Sequence, residues 1–176
     1  MYWMNIHDRR LDGETPRRRN FINLEVDQRW SMTLILSWVS YYVGRYGRLA
    51  RLSILCHGYE DTSGRGGYGL QLGKDDLTLR NVNLWGGIYR KVNWLYVYSC
   101  AAADVAPGRR GTHGDGQLLC SRLAFYTGSY VRAGSATQWY QIRGTSREID
   151  FGRWEGWVYT FAPNGAMLNP VWQPYD

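Results

Sequence analysis

Cysteine is scarce in this chain, and the three that occur, Cys56, Cys100 and Cys120, are odd in number. A disulfide framework needs more of them and in pairs, so stability must come from a packed core, and a reducing compartment, the cytoplasm, is the expected setting. Long apolar runs are missing too. The longest, Met32 to Val43, falls short of the ~20 residues that cross a bilayer and is broken by Ser37 and Ser40, so a packed helix is expected and no membrane partner. The opening residues, Met1 to Asp8, lack the charged-then-apolar layout of a secretion signal. Lysine is nearly absent: Lys74 and Lys91 stand against nineteen arginines. No segment is of low complexity and no internal repeat occurs, which excludes solenoids and disordered linkers.

What is present is arginine, aromatic residues and glycine. The formal charge of +6 gathers locally at Arg9-Arg10, Arg17-Arg18-Arg19 and Arg109-Arg110. Basic clusters meet nucleic acid or acidic partners, but these fall in expected loops, where solvated charge is the simpler reading, and no nucleic-acid module accompanies them. Nucleic acid is therefore not an expected partner. With 176 residues, 9 Trp, 14 Tyr and 21 Gly, the composition suits one well-buried domain, residues 1–176, with tight turns.

Along the chain, residues 1–20 read as an irregular lead-in and Phe21 to Val26 as a first strand. Leu34, Ile35, Trp38, Tyr42 and Arg45 follow helical spacing between Ser31 as N-cap and Gly47 as stop. Arg51 to Cys56 is the next strand, followed by a Gly-rich polar loop, Tyr59 to Tyr68, and a short β arm at Leu70 to Gly73. A helix is expected over Leu77 to Val92, capped by Asp75 or Asp76 and burying Val82, Trp85, Ile88, Tyr89 and Val92, although Gly86-Gly87 weakens its middle. Trp94 to Ser99 is a strand. Ala102 to Gly114 is a loop, and Asp115 caps a helix closed by Gly128. Tyr130 to Gly134 is a further strand. From Glu148 to Phe161 aromatic alternation marks strands, and Pro163-Asn164-Gly165 supplies a turn toward a terminal hairpin within 148–176. Strands alternating with helices, ending in β structure, give a three-layer α/β/α sandwich with a mainly parallel sheet and a C-terminal β-hairpin.

Two apolar runs end in reactive side chains. Leu52-Ser53-Ile54-Leu55-Cys56-His57-Gly58 and Trp94-Leu95-Tyr96-Val97-Tyr98-Ser99-Cys100-Ala101 each read as a buried strand running into a potential base or nucleophile. The segment between them implies a right-handed crossover and hence parallel strands whose carboxyl ends share one edge, where open α/β sheets bind ligands. His57 and Cys100 would meet there. Cys56, within its strand, and Cys120, on a helix face, read as packing residues, His113 as a loop histidine that could approach the site, and His7 as incidental. The spacing of Cys56, His57, Cys100, His113 and Cys120 fits no zinc pattern, so no metal and no cofactor are expected.

This arrangement resembles the caspase-like cysteine peptidases of clan CD. The His-Gly block precedes the Cys block by 43 residues, against about 50 in caspases. The resemblance extends through Gly67-Tyr68-Gly69-Leu70-Gln71-Leu72-Gly73, through Ser99 to Ala103, and through Gly116 to Ser135, and covers roughly 21–137. These segments look like those of bacterial caspase-like domains, while the Cys loop lacks both the Gln-Ala-Cys-x-Gly of animal caspases and the Asp-Ser-Cys of metacaspases, which speaks against either named branch. The resemblance implies an endopeptidase acting on a protein or peptide. Cys100 would attack the peptide carbonyl, His57 would assist, and the backbone N–H groups of Gly58 and Cys100 would form the oxyanion hole. A carboxylate near that edge would bind a basic substrate side chain, as in the Arg- and Lys-specific branches. Of Asp61, Asp104 and Asp115, the first reads as a solvated turn residue and the last as a helix cap, leaving Asp104.

Two other classes compete. One is an inactive caspase-like module that binds a protein through its aromatic and arginine-rich surface. The other is a carbohydrate- or nucleic-acid-binding domain using Trp139, Trp154, Trp157 and Trp172 as surface platforms, with Trp38 and Trp85 expected in the core. The sequence carries no signal of oligomeric state.

Overall fold

Alternating apolar and polar positions produce strands with two unlike faces, and their register places all like faces together. The computed structural model describes residues 1–59 and 69–175. Its strands are β1 (Trp3–Asp8), β2 (Phe21–Val26), β3 (Leu49–Leu55), β4 (Gly58–Tyr59), β5 (Gly69–Leu70), β6 (Val92–Tyr98), β7 (Tyr130–Gly134), β8 (Gln141–Arg143), β9 (Glu148–Asp150), β10 (Trp157–Phe161) and β11 (Val171–Trp172). The helices are α1 (Met32–Tyr46), α2 (Gly116–Thr127) and a 3₁₀ helix, Val82–Ile88. Seven strands form one sheet in the order β11-β10-β7-β6-β3-β1-β2. From β7 to β2 every neighbouring pair is parallel. β10 and β11 add antiparallel strands at one edge, the latter through only two residue pairs, so the terminal hairpin is short.

One face of this sheet is apolar. Met4 pairs with Leu52, Leu52 with Leu95 and Leu95 with Val131, while Ile6, Ile54, Val97 and Ala133 form the next row. Met32, Ile35 and Val39 of α1, Trp85 of the 3₁₀ helix and Leu119 and Leu123 of α2 pack into the same cluster. All three helical segments therefore cover this face. The other face presents Trp3, Asn5 and His7, then Arg51, Ser53 and Leu55, then Trp94, Tyr96 and Tyr98. Among the described residues no helix covers it. The handedness of crossovers explains the difference from the expected second helical layer. Connections from β2 to β3, β3 to β6 and β6 to β7 all step in one direction, so right-handed crossovers put them on one face. Only β1 to β2 steps the other way, and its connection, residues 9–20, is not helical.

Several boundaries need correction. Residues 1–20 are not an irregular lead-in, because Trp3–Asp8 is a parallel strand between β2 and β3. The helix expected over 77–92 is only the 3₁₀ segment. Its N-cap residue Asn81 makes no side-chain cap, Gly86-Gly87 lies within it, and Tyr89 is exposed. Asp75 does cap a helix, but a different one: its Oδ2 accepts the Met32 N–H of α1 at 2.9 Å. Glu148–Asp150 belongs to a separate hairpin with Gln141–Arg143 rather than continuing into β10. Trp38, expected inside, is partly exposed on α1, and Trp154, counted among the surface platforms, is buried. Trp85 is fully buried as expected. α1 and α2 match their expected spans and caps, Ser31 accepting from the Leu34 N–H and Asp115 from the Leu118 N–H.

Candidate active site

β3 and β6 are parallel neighbours, and Leu55 pairs with Tyr98 at their carboxyl ends. His57 and Cys100 each stand two residues beyond that pair, so the register delivers both to one edge at one level. The Cys56 N–H still reaches the Tyr98 carbonyl at 3.4 Å. Gly58 then passes directly against the Cys100 backbone. A Cβ built at position 58 would lie 2.0 Å from the Cys100 carbonyl oxygen and 2.8 Å from Ser99 Oγ, a space that only glycine leaves open.

The chain after Cys100 turns sharply. Ala101 adopts φ +47°, a left-handed conformation that costs a residue with a Cβ about 1–2 kcal/mol. The turn is held by surrounding bonds: the Ala101 N–H donates to the Ala136 carbonyl at 3.0 Å and the Ala103 N–H to Gly134 at 2.9 Å. Asp104 closes the turn through its backbone, donating to Ala101 and accepting from Gly116. It is half-buried. Backbone strain of this kind recurs at functional sites.

His57 is exposed, and its Nε2 lies 3.1 Å from the Arg10 carbonyl. A carbonyl can only accept, so Nε2 carries the proton of the neutral ring and Nδ1 keeps the lone pair. That tautomer is the one a proton-accepting Nδ1 needs. The loop bearing the Arg10 carbonyl is firmly braced. The fully buried Asp8 carboxylate accepts two bonds from the Arg10 guanidinium, at 2.8 and 2.7 Å, and one from the Gly73 N–H at 2.8 Å. Arg10 also donates to the Gly73 carbonyl. Hydrogen bonding to Asp8, against the cost of burial, raises the Arg10 pKa further. His7, far from incidental, is buried and spans the same loop, its Nε2 on the Leu11 carbonyl and its Nδ1 at the Thr15 hydroxyl.

Two other side chains approach this edge without having been foreseen. Tyr140 packs against the cluster of Leu11, Leu55 and Ile149, and its pKa is raised by burial first and then by Asp12. Tyr59 donates its hydroxyl to Asp76 at 2.9 Å, and Asp75, Asp76 and His113 line a cavity of about 370 Å³. Neither had a local sequence signal, since both depend on which loops fold back over the edge.

Cys56 and Cys120 are packing residues. Burial pushes each thiol up to about 12, and Cys120 donates to the Ala102 carbonyl beneath the Cys100 turn. A thiol held protonated is neither nucleophile nor metal ligand. Among the described residues no three His, Cys, Asp or Glu side chains gather as a metal-binding group, and no helix is long and apolar enough to cross a membrane. The loop over 102–114, which follows Cys100, begins buried at Ala102 and Ala103, is exposed from Pro107 to His113 and ends buried at Gly114. Residues 60–68, with Asp61, lie outside the described residues. Comparison with protein-family models, with curated proteins and with solved structures finds no match for this chain.

Proposed function

We propose that this chain is a caspase-like cysteine endopeptidase, with Cys100 as nucleophile and His57 as its general base and acid. The observation that carries the reading is the parallel register of β3 and β6, which brings Gly58 against the Cys100 carbonyl. His57 Nδ1 takes the Cys100 proton, and the thiolate attacks a peptide carbonyl carbon. The carbonyl oxygen gains charge, which the N–H groups of Gly58 and Cys100 stabilise. His57 then protonates the departing amine as the C–N bond breaks, leaving a thioester. Water, deprotonated by His57, attacks that thioester, releasing the acid and restoring the thiol. The Arg10 carbonyl accepts the Nε2 N–H in the neutral and the protonated ring alike, which keeps the ring oriented with Nδ1 free for proton transfer.

The caspase-like sandwich belongs to this proposal, as does a protein or peptide substrate with a basic side chain near the cleaved bond. Asp104, four residues after Cys100, is the carboxylate proposed to bind that side chain. Three free thiols suit the cytoplasm. Exposing the purified protein to a diverse peptide mixture and identifying new termini by mass spectrometry tests the activity. Cleavage that disappears in Cys100→Ala and persists in Cys120→Ala is expected. Cleavage by Cys100→Ala, or none by the wild-type protein, contradicts the proposal. The second result would favour the alternative, an inactive module, whose support is the aromatic and arginine-rich sheet face left without helices.

A further inference from the structure

The helix-free sheet face contains a groove of about 370 Å³. Trp3, Phe21 and Phe151 wall it with rings, Asn5 and Ser53 lie along it as buried polar residues, and Arg51 adds a cation. The cross-strand register explains this set. Phe21 pairs with Trp3 and Trp3 with Arg51, forming one row, and Asn5 pairs with Ser53 in the next. The Trp3 and Phe21 rings lie 5.2 Å apart, and the Arg51 guanidinium sits 4.1 Å over Trp3 and 4.9 Å over Tyr96.

Arg51 is the informative residue. Among the described residues it forms no ion pair, and its Nε is buried with no hydrogen-bond partner. Buried polar groups are nearly always satisfied, so one that is not asks for an acceptor. Aromatic stacking fixes this guanidinium in place, which lowers the entropy lost when it clasps a planar anion. The acid on the rim, Asp150, is already occupied by the Arg143 guanidinium at 2.6 Å. A cavity of this size lies within the range of small-molecule sites, ~300–1,000 Å³.

We propose that this groove binds a small aromatic carboxylate, its ring between the Trp3–Phe21 pair and Phe151 and its carboxylate on Arg51. Neither His57 nor Cys100 lines the groove, which reaches only to Leu55 and Tyr98, and the proposal stands whether or not the chain is a peptidase. Calorimetric titration with 2-naphthoate, set beside its neutral amide, tests it. Saturable one-to-one binding of naphthoate is expected, at least ~10-fold tighter than the amide because the charge-assisted bond to Arg51 is lost with the carboxylate charge. Arg51→Met should weaken naphthoate binding by at least the same factor, whereas Tyr130→Ala, outside the groove, should not change it. Should Arg51→Met fail to fold, the comparison of acid with amide on the wild-type protein still decides. Absence of saturable binding, equal affinity for acid and amide, or full affinity in a folded Arg51→Met protein overturns the proposal.

Discussion

At the scale of single residues, Gly58 and Asp8 set the tightest constraints on the candidate site. A Cβ at position 58 would collide with backbone rather than with a flexible side chain, so the two strand ends would have to separate. Gly58→Ala should cost about 1–3 kcal/mol, the range for overpacking, and slow the reaction of Cys100. Denaturant unfolding and a thiol-reactivity assay check both effects. Asp8 carries a buried charge that is satisfied by Arg10 and Gly73. Arg10→Gln should destabilise by ~3–5 kcal/mol because the Asp8 carboxylate would remain buried without its cation. Asp8→Asn combined with Arg10→Gln should recover part of that loss, and a double-mutant cycle by chemical denaturation measures the coupling. Additive single effects would show that the pair does not brace the loop beneath His57.

At the scale of elements, what was legible in the sequence followed from local chemistry. α1 and α2 announce themselves because Ser31, Asp115 and the glycines at 47 and 128 do their capping within the helix's own neighbourhood. β1 was hidden because buried positions on both of its faces are polar. Asn5, His7 and Asp8 are buried, yet they are buried to bond with Asn23, Leu11, Thr15 and Arg10, partners that no periodicity reveals. The Asp75 cap on α1, 43 residues away, was hidden for the same reason. The placement of His57 and Cys100 at one sheet edge was legible because each follows a hydrophobic strand, whereas the Arg10 carbonyl reaches His57 only through a folded loop. The element that buries Cys120 makes its own prediction. The thiol ionises near 9 when exposed and near 12 when folded, so the folded state keeps a proton that the unfolded state loses between those values. Its contribution to stability is complete below pH 9 and falls as pH rises, by up to ~1.4 kcal/mol per pH unit. Cys56 acts in the same direction. Thermal unfolding from pH 8 to 10.5 should show a declining midpoint, with a shallower decline in Cys120→Ala.

At the scale of the whole molecule, the parallel sheet divides the protein into three regions with different work. One face, sealed by α1, the 3₁₀ helix and α2, carries the apolar core. The carboxyl edge collects His57, Gly58, Cys100 and the loop from Arg9 to Thr15. The remaining face has no helix over it, but Trp154 stacks on Tyr98 and Ile149 of β9 packs with Leu55, so that its uncovered part is the groove lined by Trp3, Phe21 and Arg51. Whether His57 acts on Cys100 at this edge is read from the rate of Cys100 alkylation by iodoacetamide against pH, followed by peptide mapping, in the wild-type protein and in His57→Ala. With His57 acting on the thiol, Cys100 should react faster at pH 6–7 than an ordinary thiol of pKa about 8.5, Cys56 and Cys120 should stay unmodified, and His57→Ala should return the profile of Cys100 to that of an ordinary thiol. A wild-type Cys100 that reacts no faster than an ordinary thiol, or one whose profile is unchanged by His57→Ala, would contradict the assignment of these two residues as a dyad.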